Sequence, residues 1–447
     1  MSGATEKPAA SGAETGWEVL LTGRYLRLLL LSAVLGLPVG LACFFFVSAQ
    51  HELQNQVWQN LPEALGYDGP PWWWPLPALL LAGLILAPVV TRMPGAGGHV
   101  PADGLGGPPI GPRELPSVIL AALATLPLGV VLGPEAPLMA LGSGLALLIL
   151  RLARAAGDQR SMTVVATTGS TAAISTILGG PVVAALFVLE AAGLAGPRVA
   201  MLLLPCMTAS GTGALVFTGF GHWTGLSIGA LSLTTVPPDA TPDAGDFLWG
   251  LPAAVLVALV ITTAHRLGRF TVRWTAHSKS VRTVLCAVAV GCCIAAYALI
   301  TGRSPEEAAL SGQAELGAIA ADPHAWSVGA LVALVVCKGL AWGICLGSLR
   351  GGPIFPSVLL GVATAMACSG LPGFGVTPAL GLGIAASAVA VTGLPLTSAV
   401  LAVLLLGDDA YEQMPLIVMA SVVSFLTARL VLRWWKREPK GQRTADA

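Results

Sequence analysis

The chain has 447 residues, 55% of them hydrophobic and 10% charged, with 23 basic residues balanced by 23 acidic ones. Soluble proteins carry about 25% charged residues, so the composition excludes a soluble globular protein and indicates an all-α polytopic membrane protein. The zero net charge singles out no partner; membrane lipid is expected around the chain, and nucleic acid is not expected to bind it.

Residues 1–17 are small and polar and read as a disordered tail. No secretory signal with a small-residue cleavage site is present at this end. Apolar runs follow near 26–49, 72–91, 115–133, 137–153, 162–178, 180–195, 198–220, 247–264, 283–300, 326–347, 356–370, 377–391, 393–406 and 414–432. A simple span needs about 20 apolar residues. Several of these runs are only 14 to 17 residues long and open at Gly or Pro. They read as tilted or broken helices that end inside the protein. Trp72-Trp73-Trp74 and Trp434-Trp435 read as interfacial anchors.

The eight cysteines (Cys43, Cys206, Cys286, Cys292, Cys293, Cys337, Cys345 and Cys368) lie within or beside apolar runs. They show no zinc or redox spacing and read as buried small hydrophobes; no cofactor or metal is expected. No Ser/His/Asp, HExxH or paired-carboxylate set occurs in the spans, which argues against an intramembrane enzyme.

The loops carry a charge bias. Arg151–Arg160, His265–Arg282 and the C-terminal tail are basic; Glu52–Asp68, Asp239–Asp246 and Glu306–Asp322 are acidic or neutral. The positive-inside rule puts the basic set and both termini in the cytoplasm, across a bacterial inner membrane or plasma membrane.

One residue stands out. Glu135 lies in Leu132-Gly133-Pro134-Glu135-Ala136-Pro137, between two apolar runs. A carboxylate at membrane depth is costly and marks an ion or proton pathway by default. The surrounding Gly and Pro interrupt the helix, as at transporter binding sites.

An internal repeat frames it. Pro137–Gly142 and Pro356–Gly361 are similar at an offset of 219; Gly180–Ala184 and Leu394–Ser398 are similar at an offset of 214. Two motifs at nearly one offset indicate a duplicated half. The expected organisation is a first half at 18–221, an extracellular linker at 222–246, a second half at 247–432 and a basic cytoplasmic tail at 433–447. The repeat is chemically lopsided: the positions matching Glu135 and Glu190 are Ile354 and Leu404.

Three Gly/Pro-rich segments read as helix starts: Gly97–Pro101, Gly133–Pro137 and Gly351–Pro356. A first helical turn offers free N–H groups and a positive dipole end, and glycine lets a ligand approach the backbone. Several such ends aimed at one spot hold an anion without a buried lysine, weakly enough for passage.

Taken together, these segments resemble the CLC chloride channels and anion/proton antiporters. Gly97–Pro101 is similar to the family's Gly-Ser-Gly-Ile-Pro loop, Gly133–Pro137 to its Gly-Arg-Glu-Gly-Pro loop and Gly351–Pro356 to its Gly-Gly-Ile-Phe-Ala-Pro loop. Ala184–Glu190 resembles the stretch leading into the family's acidic pair, and Pro395-Leu396-Thr397 a further recurrent element. Order and spacing agree over roughly residues 18–432.

The resemblance implies a CLC-type inverted repeat and a homodimer with one pore per subunit. It implies a gating role for Glu135, and anion contacts from Gly98, His99, Gly133, Ala136, Gly352, Ile354 and Phe355. Glu190 is a possible proton-pathway residue. Several positions depart from the family pattern. Gly98 stands where the family has its serine, Pro134 where it has arginine, and Ala191 where antiporters carry their inner glutamate. The late pore tyrosine and the final short helix have no counterpart. These departures favour chloride or a similar small anion passing in a channel-like or weakly proton-coupled manner. The alternatives are a proton-coupled chloride antiporter, a fluoride-selective transporter and, outside the family, an inverted-repeat cation or solute carrier. Three further residues have two readings each. His99 is a titrating group at the inner mouth or a hydrogen-bonded loop histidine. Arg350 lines the outer vestibule or snorkels. Lys338 lines the pore, or pairs with a carboxylate or carbonyls.

Overall fold

The structure is a computed structural model that describes residues 18–105, 107–154, 159–193, 197–225, 233, 236, 241–407 and 410–436. The expected N-terminal tail, much of the inter-half linker and the tail beyond Lys436 lie outside them.

Among the described residues the chain is helical, with no strand. The first group of helices is α1 (Gly23–Ala64), α2 (Pro75–Arg92), α3 (Leu115–Thr125), α4 (Glu135–Leu152), α5 (Gln159–Ser175), α6 (Pro181–Ala192) and α7 (Pro197–Thr224). The second is α8 (Ala244–Thr275), α9 (Lys279–Thr301), α10 (Gln313–Ala321), α11 (Val328–Ser348), α12 (Ile354–Met366), α13 (Val376–Thr392), α14 (Pro395–Leu406) and α15 (Ala410–Lys436). Eight of these are long and apolar enough to cross a membrane. Their outer positions are leucines and valines, such as Leu30, Leu84, Leu256 and Val336. Exposed apolar side chains suit a protein whose solvent is lipid.

The short helices end where the sequence says they must. α6 follows Gly179 and Gly180, both at positive φ, begins with proline and stops at the left-handed Gly193. α14 likewise opens on Pro395 and ends at Gly407. Proline suits a first turn, and a left-handed glycine ends a last one. α6 and α14 are both 12 residues long, and their starts, 181 and 395, are 214 apart.

The repeat extends to packing. A Cβ at Gly142 on α4 would collide with the Gly169 carbonyl oxygen on α5. Their counterparts 219 and 214 residues on, Gly361 on α12 and Gly383 on α13, meet in the same way. Small residues let membrane helices close on each other where lipid provides no hydrophobic drive. At the centre, Gly133 and Gly352, 219 apart, exchange both backbone hydrogen bonds across an isolated antiparallel bridge. A mutual pair of this kind marks a local two-fold relation, so the two helix starts that follow it converge.

One expected helix start does not form. After Gly97–Val100 the chain makes only a three-residue 3-10 turn, Pro101–Asp103, and Gly104 at φ +85 ends it. Residues 105–114 hold two adjacent prolines and a further Gly-Pro pair, which cannot continue a helix.

A candidate anion site at paired helix N-termini

The site is built from the two turns after the Gly133–Gly352 bridge. Pro134 is the N-cap of α4 and Pro353 the N-cap of α12. Neither has a side chain that caps, so neither helix satisfies its first N–H groups from its own cap. Glu135, the first residue of α4, is fully buried. Its Oε1 accepts a hydrogen bond from the Phe355 N–H at 2.7 Å, in the first turn of α12. Its Oε2 is buried without a hydrogen-bond partner. A Cβ at either Gly133 or Gly352 would overlap that carboxylate; the two glycines make the space it occupies. Glu135, Gly133, Gly352, Ile354 and Phe355 therefore come together.

No ion pair to Glu135 occurs among the described residues. Its negative charge is compensated by backbone N–H and helix dipole alone. Charge-assisted bonds to backbone N–H are strong, but they come from fixed dipoles, which a free anion can use equally well once the carboxylate leaves.

The Gly97–Val100 turn contributes differently from expectation. The Gly97 N–H reaches Ser117 Oγ at 3.4 Å, and Gly98, at φ +99, faces the Val118 side chain. His99 Nε2 bonds the Pro108 carbonyl at 2.9 Å, the loop-histidine reading. His99 and Ala136 line one small cavity, of ≈ 30 Å³, beside α4. Arg350 neither snorkels nor lines an outer vestibule. It is buried, with Nε donating to the Ala96 carbonyl at 3.0 Å and Nη1 to Leu349, so it ties the turn to the end of α11. Ala96 at φ +48 turns its carbonyl toward that guanidinium. Lys338 is fully buried and caps the carbonyls of Glu307 (3.1 Å) and Ala309 (2.6 Å).

Glu190 lies apart from Glu135. Its carboxylate accepts the Leu396 N–H at 2.9 Å, the Thr397 N–H at 2.8 Å and the Thr397 hydroxyl at 2.6 Å. It caps α14, whose own N-cap, Leu394, has no capping side chain. Each of the two carboxylates thus sits at the start of the repeat mate of its own helix: α4 on α12 and α6 on α14.

A cavity of ≈ 550 Å³ reaches Pro353 from one side, with Ala191, His265, Arg269 and Arg429 on its walls. The basic ends of α8 and α15 flank it. Sequence reasoning missed this lining, because His265 and Arg269 read there as loop charges and Arg429 falls at the end of the apolar run 414–432. The spacing of His265 and Arg269 on one apolar helix was the available signal.

A family model described as voltage gated chloride channel matches residues 102–429, well over half of the chain. The chain belongs to this family. Among its relatives is YfeO of Escherichia coli O139:H28 (strain E24377A / ETEC), provisionally named an ion-transport protein. It is 29% identical over 346 residues, which cover 76% of this chain and 78% of YfeO. The same CLC fold is found in a slow cyanobacterial Cl-/H+ antiporter, with TM-score 0.74, 17% identity and coverage of 91% of this chain and 95% of that one. It recurs in a CLC-type fluoride/proton antiporter, with TM-score 0.67, 17% identity and coverage of 92% and 97%. The CLC assignment makes this an anion-transport protein with multiple membrane passes, and it confirms the CLC-type helical fold that the resemblance implied.

Proposed function

We propose that the chain passes chloride or a similar small monovalent anion between α4 and α12, with Glu135 as the gate. The observation that carries this reading is the 2.7 Å bond from the Phe355 N–H to a buried carboxylate that has no cation beside it. The carboxylate stands where a transported anion would rest, and passage requires it to leave. Backbone N–H groups at Ala136, Ile354 and Phe355 supply the contacts; those of Gly133 and Gly352 are taken by their mutual bridge, so these two glycines give the anion its space instead, with Gly98 and His99 shaping the approach beside them. The chain assembles as a homodimer in the bacterial inner or plasma membrane, with both termini in the cytoplasm.

Transport is channel-like or weakly proton-coupled. Ala191 lines the cavity where antiporters of the family carry a glutamate, and Glu190 is committed to capping α14. Tight coupling to protons is the second reading, favoured by the fold shared with two antiporters, one of chloride and one of fluoride. Anion efflux from reconstituted vesicles, with proton movement recorded in parallel, separates the two. Anion flux with little uphill proton movement is the expected result; stoichiometric proton pumping that requires Glu135 would establish the second reading.

A further inference from the structure

The cavity that ends at Pro353 is larger than one halide ion requires. At ≈ 550 Å³ it falls within the roughly 300–1,000 Å³ of small-molecule sites. Two guanidinium groups from different helices line it. Arg269 is on α8, one turn after His265, and both face the cavity. Arg429 is on α15, with its Cζ 5.1 Å from the Phe425 ring centroid. Its Nη2 lies 3.5 Å from where a Cβ on Gly393 would be, at the C-terminal end of α13. The carbonyl end of a helix favours a cation, so that arginine is held in place. Among the described residues Asp103 is the one carboxylate on the cavity wall. Against two arginines it leaves the cavity positive.

We propose that this cavity is a second anion site, distinct from the one at Glu135, and that it takes a small oxyanion (a carboxylate or a phosphate) through Arg269 and Arg429. A guanidinium presents a planar fork that matches two oxygens of such a group, a geometry a halide cannot use. Thr262 and the left-handed Gly393 leave the wall between the arginines small. An oxyanion seated there fills the approach to Pro353 and adds negative charge in front of the transported anion. The site therefore acts as a brake, applied from the face on which the cavity opens. The brake rests on the anion route proposed above; the binding site itself does not.

The test is calorimetric titration of the purified protein in detergent with two probes, succinate and inorganic phosphate, followed by anion efflux in the presence of each. Saturable binding is expected, weakened by about tenfold or more in Arg269→Gln and in Arg429→Gln, the loss of one charge-assisted hydrogen bond. Succinate bound more tightly than phosphate identifies the carboxylate as the natural chemistry, and the reverse order identifies the phosphate. Arg269→Lys and Arg429→Lys keep the charge and the packing but lose the fork. They should stay weaker than the unmodified protein, and they carry the test if the glutamine variants do not fold. The efflux readout is the ratio of inhibited to uninhibited flux within each variant, so a change in basal flux does not obscure it. Absence of binding by both probes overturns the proposal, as does binding unchanged in all four variants. Binding without any effect on flux leaves the site standing and overturns the brake. Because calorimetry needs no transport, a failure of the Glu135 reading is distinguishable from a failure of this one.

Discussion

Gly133 and Gly352 hold each other by two backbone hydrogen bonds, Gly133 N–H to the Gly352 carbonyl at 2.8 Å and Gly352 N–H to the Gly133 carbonyl at 2.6 Å. The pairing brings the starts of α4 and α12 together. It also places two glycines side by side where the Glu135 carboxylate lies. A buried charge with no counter-ion is costly, and these two residues are what let the helix N-terminus reach it.

Gly352→Ala tests that space. Its backbone is not in the positive-φ region, so alanine fits the chain, but the methyl would overlap the carboxylate. The carboxylate must move, and the methyl then occupies the anion's resting place. We predict a fall in flux of about tenfold, the scale of one misplaced methyl group in a fitted site. The fall should persist in Gly352→Ala/Glu135→Gln. Flux equal to the unmodified protein in vesicle efflux would place the anion route elsewhere.

Glu135→Gln keeps the shape and removes the charge. The bond from Phe355 weakens, and a free anion no longer competes with a tethered one. A charge-assisted hydrogen bond contributes about 1.5–3 kcal/mol, so flux should rise by about tenfold. In the unmodified protein, acid protonates the carboxylate and has the same effect, so flux should increase as pH falls. The glutamine variant should be flat across the same pH range. An unchanged pH profile would remove Glu135 from the gate.

Much of this was legible in the sequence because membrane folds write their constraints plainly. Glycine and proline must stand where helices break, so the two repeat offsets, 219 and 214, recur in helix starts and in the Gly142–Gly169 and Gly361–Gly383 contacts. Glu135 was legible because a charge between apolar runs is rare. Arg350 was not. Its partners, Leu349 and Ala96, are carbonyls, one of them 254 residues away, and no side-chain pattern marks a carbonyl. The Gly97–Pro101 segment misled for a related reason: it has the composition of a helix start, but whether a helix follows depends on the prolines after it.

Gly98→Ser is the change that would supply a hydroxyl to the site. Space is available, since the nearest atom to a Cβ there, Val118 Cγ2, is 3.5 Å away. The backbone is less accommodating: φ is +99, and such conformations cost a side-chain-bearing residue about 1–2 kcal/mol. A new hydrogen bond contributes about 0.5–1.5 kcal/mol. The two nearly cancel, so a loss of thermal stability should accompany any gain in anion affinity. Tighter binding without loss of stability would show that this turn rearranges freely.

Dimerisation is expected through α6, α7, α14 and α15. These four form one face through successive contacts of α7 with α6, α6 with α14 and α14 with α15. Apolar side chains project from it, among them Val182, Leu404, Val418 and Val422. Cysteine introduced at Val418 or Val422 should crosslink between subunits, while the exposed native Cys292 on α9 serves as the control off this face. A strictly monomeric particle in lipid would exclude the arrangement.

Glu190 separates a structural carboxylate from a proton relay. Its oxygens accept three hydrogen bonds from Leu396 and Thr397 at the start of α14. A relay group must be free to turn between two partners within each cycle, and these three bonds hold the carboxylate at one place. Removing a cap costs about 0.5–2 kcal/mol, and of the two N–H groups left behind that of Thr397 is partly buried. Glu190→Ala should therefore lower thermal stability measurably, with Glu190→Gln falling between it and the unmodified protein, since an amide oxygen still accepts. Neither change should alter the ratio of protons to anions moved, once flux is expressed per folded protein. If instead Glu190→Gln leaves stability intact and abolishes proton movement, Glu190 is the relay and the protein is a coupled antiporter.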